Sequence, residues 1–241
     1  MISSVKLSSI PKFLWAESPF PDVATVRLEP SALGRRPDRG VLSENERRLL
    51  VHLVGEKRRY SFVAGRLAAK NRVGRLLGLP PETLLRDIDI GRTGGGIPTL
   101  AIRGVNISDA TVSISHGGDF AMADAVRSGS VGVDVEPVSK KCVTLKDAFA
   151  APEEIKILMD SAEGATEATQ LTRLFSAKEA AAKCLKTHLF YAFHYYRLIA
   201  ARRTALVLKD ISGAMELPAV ETVLVENHVF SRLLSMTAVA P

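Results

Sequence analysis

The chain has 241 residues, 46% of them hydrophobic and 24% charged, with a formal net charge of +6. That balance predicts a soluble globular protein, long enough for one large domain or two small ones. It excludes a protein built of apolar membrane-spanning helices, because no apolar run reaches roughly 18 residues, and no segment is of low complexity.

Residues 1–20 mix polarity and contain proline, without the basic, apolar and small-residue order of a secretory signal, so a cytoplasmic location is expected. Residues 1–40 read as strand and loop, with proline at 11, 19, 21, 30 and 37. Ser43 followed by Glu46 is a capping-box pattern that opens a helix running to about His52. A second helix is predicted over 56–77, closed by Gly78 and then Pro80-Pro81. Residues 91–96, with Gly at 91, 94, 95 and 96, are expected to form a mobile loop. Residues 111–115 alternate as a strand, 116–119 (His-Gly-Gly-Asp) form a turn, and 120–126 return as a strand. A β-branched strand follows over 131–136, ended by Pro137, which has no ladder donor. Pro152-Glu153-Glu154 starts a short helix, since proline suits the first turn and acids suit its positive end. After a break at 162–165, residues 166–186 lack Gly and Pro and predict a long helix. Residues 187–197, rich in His and Tyr, give no functional reading. The remainder reads as strands at 196–200, 204–208, 220–225 and 229–239. Helix followed by strands occurs twice, but no fixed-period repeat is visible in the residues.

Three segments carry chemistry. In Val131-Gly132-Val133-Asp134-Val135-Glu136, strand alternation puts Asp134 and Glu136 on one face. Two carboxylates so close repel unless a cation or a shared proton lies between them. The plainer alternative is an edge strand with a solvated polar face. In the long helix, Leu171, Leu174, Phe175, Ala182 and Leu185 form an apolar stripe, flanked by Glu179 and Lys183 one turn apart. Lys178 projects close to the stripe, which predicts a packed stem and a head directed somewhere definite. Glu179 and Lys183 alone could be a simple surface pair worth a few tenths of a kcal/mol. His116 ends a strand beside Gly117-Gly118, where a phosphate could approach closely, although a histidine at a turn can equally be a plain surface residue. Carboxylates bind hard cations and lysines bind phosphate, so together these segments suggest chemistry on a pyrophosphate. Cys142 and Cys184 have no metal-ligand spacing and are expected as reduced thiols. The basic residues are dispersed apart from Arg35-Arg36 and Lys57-Arg58-Arg59, so charge alone favours a solvated basic face without a partner.

Ser113-Ile114-Ser115-His116, then Val131–Glu136, then Phe175-Ser176-Ala177-Lys178-Glu179-Ala180-Ala181-Ala182-Lys183, in that order, resemble the 4′-phosphopantetheinyl transferase superfamily, in particular its single-chain surfactin- or enterobactin-type branch. The basic segment 57–70, with Gly65-Arg66-Leu67-Ala68-Ala69, and the step Gly96-Ile97-Pro98 extend the resemblance over residues 57–187, roughly half the chain. The resemblance implies an α+β (α/β) fold of two similar, pseudo-twofold-related halves, residues 1–128 and 129–241. Each would be a small antiparallel-type sheet packed with a long helix, with the active site in the seam.

It also implies transfer of the phosphopantetheine arm of coenzyme A to a serine of an acyl, peptidyl or aryl carrier protein, releasing 3′,5′-ADP. Asp134, Glu136 and Glu179 would hold Mg²⁺, with Mn²⁺ as the alternative ion. Glu179 or a metal-bound water would take the serine proton, and Lys183 would neutralise phosphate charge near the reacting bond. Ser115 and His116 would bind the coenzyme A phosphates, and Arg59 and Arg66 the 3′-phosphate. The partner would be an acidic carrier protein drawn to the basic surface, with the enzyme acting as a monomer, without a membrane or nucleic acid. Departures are Phe175 where many relatives have tryptophan, and 94–97 (Gly-Gly-Gly-Ile), where they often carry a cation and only Arg92 is near. A metal-dependent nuclease is the rival reading, but such enzymes place a lysine two residues after the acid, where Val138 stands. A non-catalytic nucleic-acid-binding module lacks its recognition patterns here.

Overall fold

The computed structural model describes residues 14–28, 40–80, 83–212 and 217–235. Arg35-Arg36, Pro81 and the predicted strand's end at 236–239 lie outside the described residues, as do the predicted strand and loop of 1–13 and 29–39. The chain divides into two compact units, Met1–Arg127 and Ser128–Pro241. Both combine helices with antiparallel sheet, so the fold class is α+β.

In the first unit, strands β1 (Leu14–Trp15), β2 (Ala24–Arg27), β6 (Thr111–Gly117) and β7 (Phe120–Val126) form an antiparallel sheet in the order β1-β2-β7-β6. Helix α1 (Glu44–Val51) opens on Ser43, whose hydroxyl accepts from Glu46 N–H while the Glu46 carboxylate accepts from Ser43 N–H. Helix α2 (Glu56–Leu77) packs on this sheet through Val63, Ala64, Leu67, Ala68 and Val73, all buried. It stops at Gly78, which takes the left-handed conformation with φ 60°.

Residues 91–96 are not a loop throughout. Gly91 and Arg92 belong to strand β3 (Ile88–Arg92), which pairs with β4 (Pro98–Ile102), itself paired with β5 (Val105–Ile107). The Ile-Asp-Ile alternation buries Ile88 and Ile90. Gly91 sits where a Cβ would meet Thr99 Oγ1 at 2.6 Å, so its lack of a side chain permits the pairing. His116 likewise lies within β6, opposite Ala121, and the turn is confined to Gly118 and Asp119.

In the second unit, β8 (Ser130–Pro137) forms one edge of a five-stranded antiparallel sheet with β12 (His228–Ser235), β11 (Val220–Val225), β10 (Ala205–Asp210) and β9 (Tyr196–Arg202), in that order. Short helix α3 (Lys140–Thr144) and α4 (Pro152–Asp160) lead to α5 (Glu167–Leu185), capped by the Thr166 hydroxyl. Residues 189–195 form helix α6 (Leu189–Tyr195), which tilts Phe193 onto Phe149 and Phe175. The core is the buried stripe Leu171, Leu174, Ala177, Ala181 and Leu185 of α5 against Leu198, Leu206 and Leu233. Each fully buried leucine contributes about 1.5–3 kcal/mol relative to exposure.

The structure reveals the fixed repeat that the residues conceal. In the first unit Lys70, fully buried, donates to Glu46, 24 residues away, and to the Val41 carbonyl, 29 residues away, while Glu46 accepts from Ile90 N–H, 44 residues on. In the second unit Lys178, also fully buried, donates to Glu154, to the Phe149 carbonyl at 2.7 Å, and Glu154 accepts from Leu198 N–H, with the same separations of 24, 29 and 44. One constant offset, that from Glu46 to Glu154, also carries α1 onto α4, α2 onto α5 and β2 onto β8. The two units therefore share one plan, residue for residue at the buried lysine–glutamate pair. Little sequence survives between them because apolar contacts tolerate exchange of side chains, whereas a buried charge cannot lose its partner.

Candidate active site

The site grows from the meeting of β8 and α5 within the second unit. Gly132 lets the two backbones touch: a Cβ there would lie 1.9 Å from the Ala180 carbonyl oxygen and 2.5 Å from Cys184 N. No residue with a side chain fits at that point, which explains a glycine inside a β-branched strand. Ser176 on α5 is hydrogen-bonded to Ser231 of β12 at 2.8 Å, directly beside Asp134 in the ladder. The close approach brings Glu179, on α5, to the face of β8 that carries Asp134 and Glu136.

Strand alternation places those two acids as the sequence predicts. Carboxylate oxygens of Asp134, Glu136 and Glu179 all lie within 4.8 Å of one another. Asp134 is fully buried, while Glu136 and Glu179 are partly buried. Lys183 gathers the group, donating to Asp134 Oδ1 at 2.9 Å and to the Val133 carbonyl at 3.2 Å, and lying 3.2 Å from Glu179 Oε1. β8 is an edge strand, as the plainer reading held, but its acidic face is drawn together with α5 and not merely solvated.

The electrostatics follow from three acids and one cation. Burial, and then the charges of Asp134 and Glu179, push the Glu136 carboxyl up to about 8 despite Lys183. Burial and the Asp134 charge likewise raise Glu179, partly offset by Lys183. Burial works against the charge of Lys183, but Asp134 and Glu179 outweigh it and hold the ammonium above its ordinary range. The cluster has more negative charge than one lysine neutralises, so at neutral pH it retains a proton or takes a cation. Three hard oxygens at this spacing suit a small divalent ion such as Mg²⁺ or Mn²⁺. The donor set fits the ion that the resemblance implies.

The remaining residues singled out in the sequence belong to the first unit. Ser115 is buried and His116 exposed, on β6. Arg59, at the start of α2, donates to the Leu53 carbonyl at 2.8 Å and is exposed. Arg66 is 3% exposed, lies 3.3 Å from Glu46 and stacks on Phe62 with its guanidinium carbon 4.5 Å from the ring centre. Burial lowers its proton affinity, partly offset by Glu46. Its charge therefore already has a buried counter-ion.

Two residues that shape the site were not read from the sequence. Gly132 could have been found as a lone glycine inside a strand pattern, a mark of close backbone approach. Glu154 could not, since an acid in a helix's first turn reads as a favourable surface charge.

A family model described as the 4′-phosphopantetheinyl transferase superfamily matches residues 130–219, from β8 to the approach of β11. The holo-[acyl-carrier-protein] synthase of Oceanobacillus iheyensis is 32% identical over 87 residues, 36% of this chain and 72% of the relative. That of Streptomyces coelicolor is 31% identical over 116 residues, 45% of this chain and 94% of the relative. A solved holo-(acyl-carrier-protein) synthase of Bacillus anthracis, in complex with CoA (3′,5′-ADP), is 27% identical, covering 43% of this chain and 90% of its own, with a TM-score of 0.36. At that score the superposition carries no weight, and the assignment rests on the sequence relatives. With an acidic cluster and its lysine inside the matched segment, the chain belongs to the 4′-phosphopantetheinyl transferase superfamily.

Proposed function

We propose that this transferase moves the 4′-phosphopantetheine arm of coenzyme A to a serine hydroxyl of an acyl, peptidyl or aryl carrier protein, releasing 3′,5′-ADP in a Mg²⁺-dependent reaction. The observation that supports this reading best is the gathering of Asp134, Glu136 and Glu179 within 4.8 Å, with Lys183 against two of them. In the transfer, the serine oxygen forms a bond to the β-phosphorus, the bond from that phosphorus to the bridging oxygen breaks, and the bridging oxygen leaves with 3′,5′-ADP. The serine proton passes to a base.

Asp134, Glu136 and Glu179 would hold the divalent ion. Bound there, the ion supplies positive charge against the diphosphate as charge builds on its oxygens. Lys183, held charged by its two acids, adds a fixed cation beside the reacting bond. Glu179 is proposed as the base that takes the serine proton, with a water held by the ion as the alternative. Ser115, His116 and Arg59 are proposed to bind the cofactor's phosphates. Arg66, already paired with Glu46, is proposed to contribute through its field from below the surface.

The net charge of +6 suits an acidic carrier protein, and we propose that the enzyme acts on it as a cytoplasmic monomer. Among the described residues no helix is long and apolar enough to cross a membrane. The test is to mix the protein with coenzyme A, Mg²⁺ and an apo carrier protein, and to weigh the carrier. A mass gain of one phosphopantetheinyl group is expected, and no gain when EDTA is present from the start; an unchanged carrier mass across acyl, peptidyl and aryl carriers would overturn the reading.

A further inference from the structure

Lys178 stands next to Glu179 in sequence, yet it takes no part in the acidic cluster. Its ammonium is fully buried, 2.8 Å from Glu154 Oε1, and donates to the Phe149 carbonyl at 2.7 Å and the Phe193 carbonyl at 3.3 Å. Glu154 in turn accepts from Ala151 N–H at 2.8 Å, from Leu198 N–H at 2.7 Å and from Arg197 at 3.2 Å. One ion pair therefore ties α5 to the start of α4, the end of α6 and strand β9.

Successive residues on a helix project about 100° apart. Fixing the Lys178 head on one side of α5 fixes the direction in which Glu179 leaves the helix. On the other side, contact at Gly132 and the Ser176–Ser231 hydrogen bond set the height of α5 over β8. The buried stripe of α5 sets the roll of the helix coarsely, and the clamp adds a directional restraint one residue from Glu179. We propose that Lys178 and Glu154 are positioning residues that hold Glu179 against Asp134 and Glu136, so that the three form a divalent-ion site before any ion arrives. This inference rests on the proposed metal site and deepens it.

The first unit provides the matched control. Lys70, Glu46, Val41 and Ile90 make the same clamp. The residue after Lys70 is Asn71, and the positions matching Asp134 and Glu136 are Val26 and Leu28, none of them acidic. Breaking the clamp there removes the same kind of buried pair without touching a carboxylate cluster.

The test measures Mn²⁺ affinity by electron paramagnetic resonance on the purified full chain, alongside Tm, for wild type, Lys178→Met, Glu154→Gln and Lys70→Met. Loss of a group that orients a metal ligand weakens ion binding about 10–100-fold, and that loss is expected for Lys178→Met, with a smaller loss in the same direction for Glu154→Gln. Lys70→Met is expected to lower Tm while leaving the Mn²⁺ constant within about twofold of wild type, since no ligand adjoins it. If Lys178→Met does not fold, Glu154→Gln, which keeps the shape of the acid, decides. Wild-type Mn²⁺ affinity in the folded second-unit variants, or an equal loss in Lys70→Met, would overturn the positioning role. A wild type that binds no Mn²⁺ at all would instead sink the metal site itself, and the clamp proposal with it.

Discussion

Glu136 should behave as a charge that destabilises the metal-free protein. Its carboxyl is pushed from 4.5 to about 8 by burial and by the neighbouring acids. Between those values the folded state binds a proton that the unfolded state has released, so stability falls as pH rises through the window, and the loss is complete above about pH 8. A rise of that size is worth at most ~5 kcal/mol. The carboxylate is only partly buried, and screening brings the expected figure to ~2 kcal/mol, or about 4–8 °C in Tm. Glu136→Gln removes the charge and keeps the shape. Thermal melts in EDTA from about pH 5 to about pH 9 should show the wild type losing stability relative to the variant, with the gap opening across the window. Excess Mg²⁺ should restore the wild type at the alkaline end and help the variant much less, because an ion that binds only the folded state stabilises it by mass action. Parallel melting profiles for the two proteins in EDTA would show that the folded state does not raise the Glu136 carboxyl.

Asp134→Ala should abolish carrier modification, with circular dichroism unchanged; normal turnover would refute the metal assignment. Lys183→Met removes the cation between Asp134 and Glu179 and should lower kcat by about 100-fold or more, read by single-turnover transfer. Gly132→Ala forces a Cβ to 1.9 Å from the Ala180 carbonyl, and the backbone shift needed should cost ~3 kcal/mol or more, read as a fall in Tm. Arg66→Ala strips Glu46 of one of two buried cations and should lower Tm. If it also erases the disadvantage of dephospho-coenzyme A as a substrate, Arg66 reads the 3′-phosphate as well.

The elements that set the site were legible because each carries a local rule. The capping box at Ser43 and Glu46, the Gly78 stop and Pro137 at the end of β8 follow from caps and missing donors, and the long helix from a run without Gly or Pro; all are observed, with Thr166 as the N-cap of α5. The facing of Asp134 and Glu136 followed from strand period alone. Strand β3 escaped notice because Gly91 and the glycines after it read as loop, when Gly91 is required by Thr99 across the hairpin. Helix α6 escaped because aromatic residues favour strand as readily as helix, and what decides is the cluster of Phe193 with Phe149 and Phe175, distant in sequence. The destination of Lys178 was legible only as a direction. Its partner Glu154 lies 24 residues away, on an element whose packing no local pattern specifies.

The duplicated clamp separates what the two units share from the acidic cluster that the second unit adds. Both units keep a lysine and a glutamate fully buried, and such a pair is costly to break and hard to replace one partner at a time. It therefore persists as scaffold wherever the plan is repeated. The acidic cluster obeys a different constraint, because three carboxylates within 4.8 Å repel one another unless a proton or a cation offsets the charge that Lys183 leaves. Where no ion is used, the same positions are free to become apolar or neutral, as Val26, Leu28 and Asn71 are, and Arg75 stands at the place of Lys183 with Asp22 as its ion-pair partner at 3.3 Å. The clamp thus marks what the two units share, and, on the proposed function, the departure of the second unit from the first marks where the metal site is built.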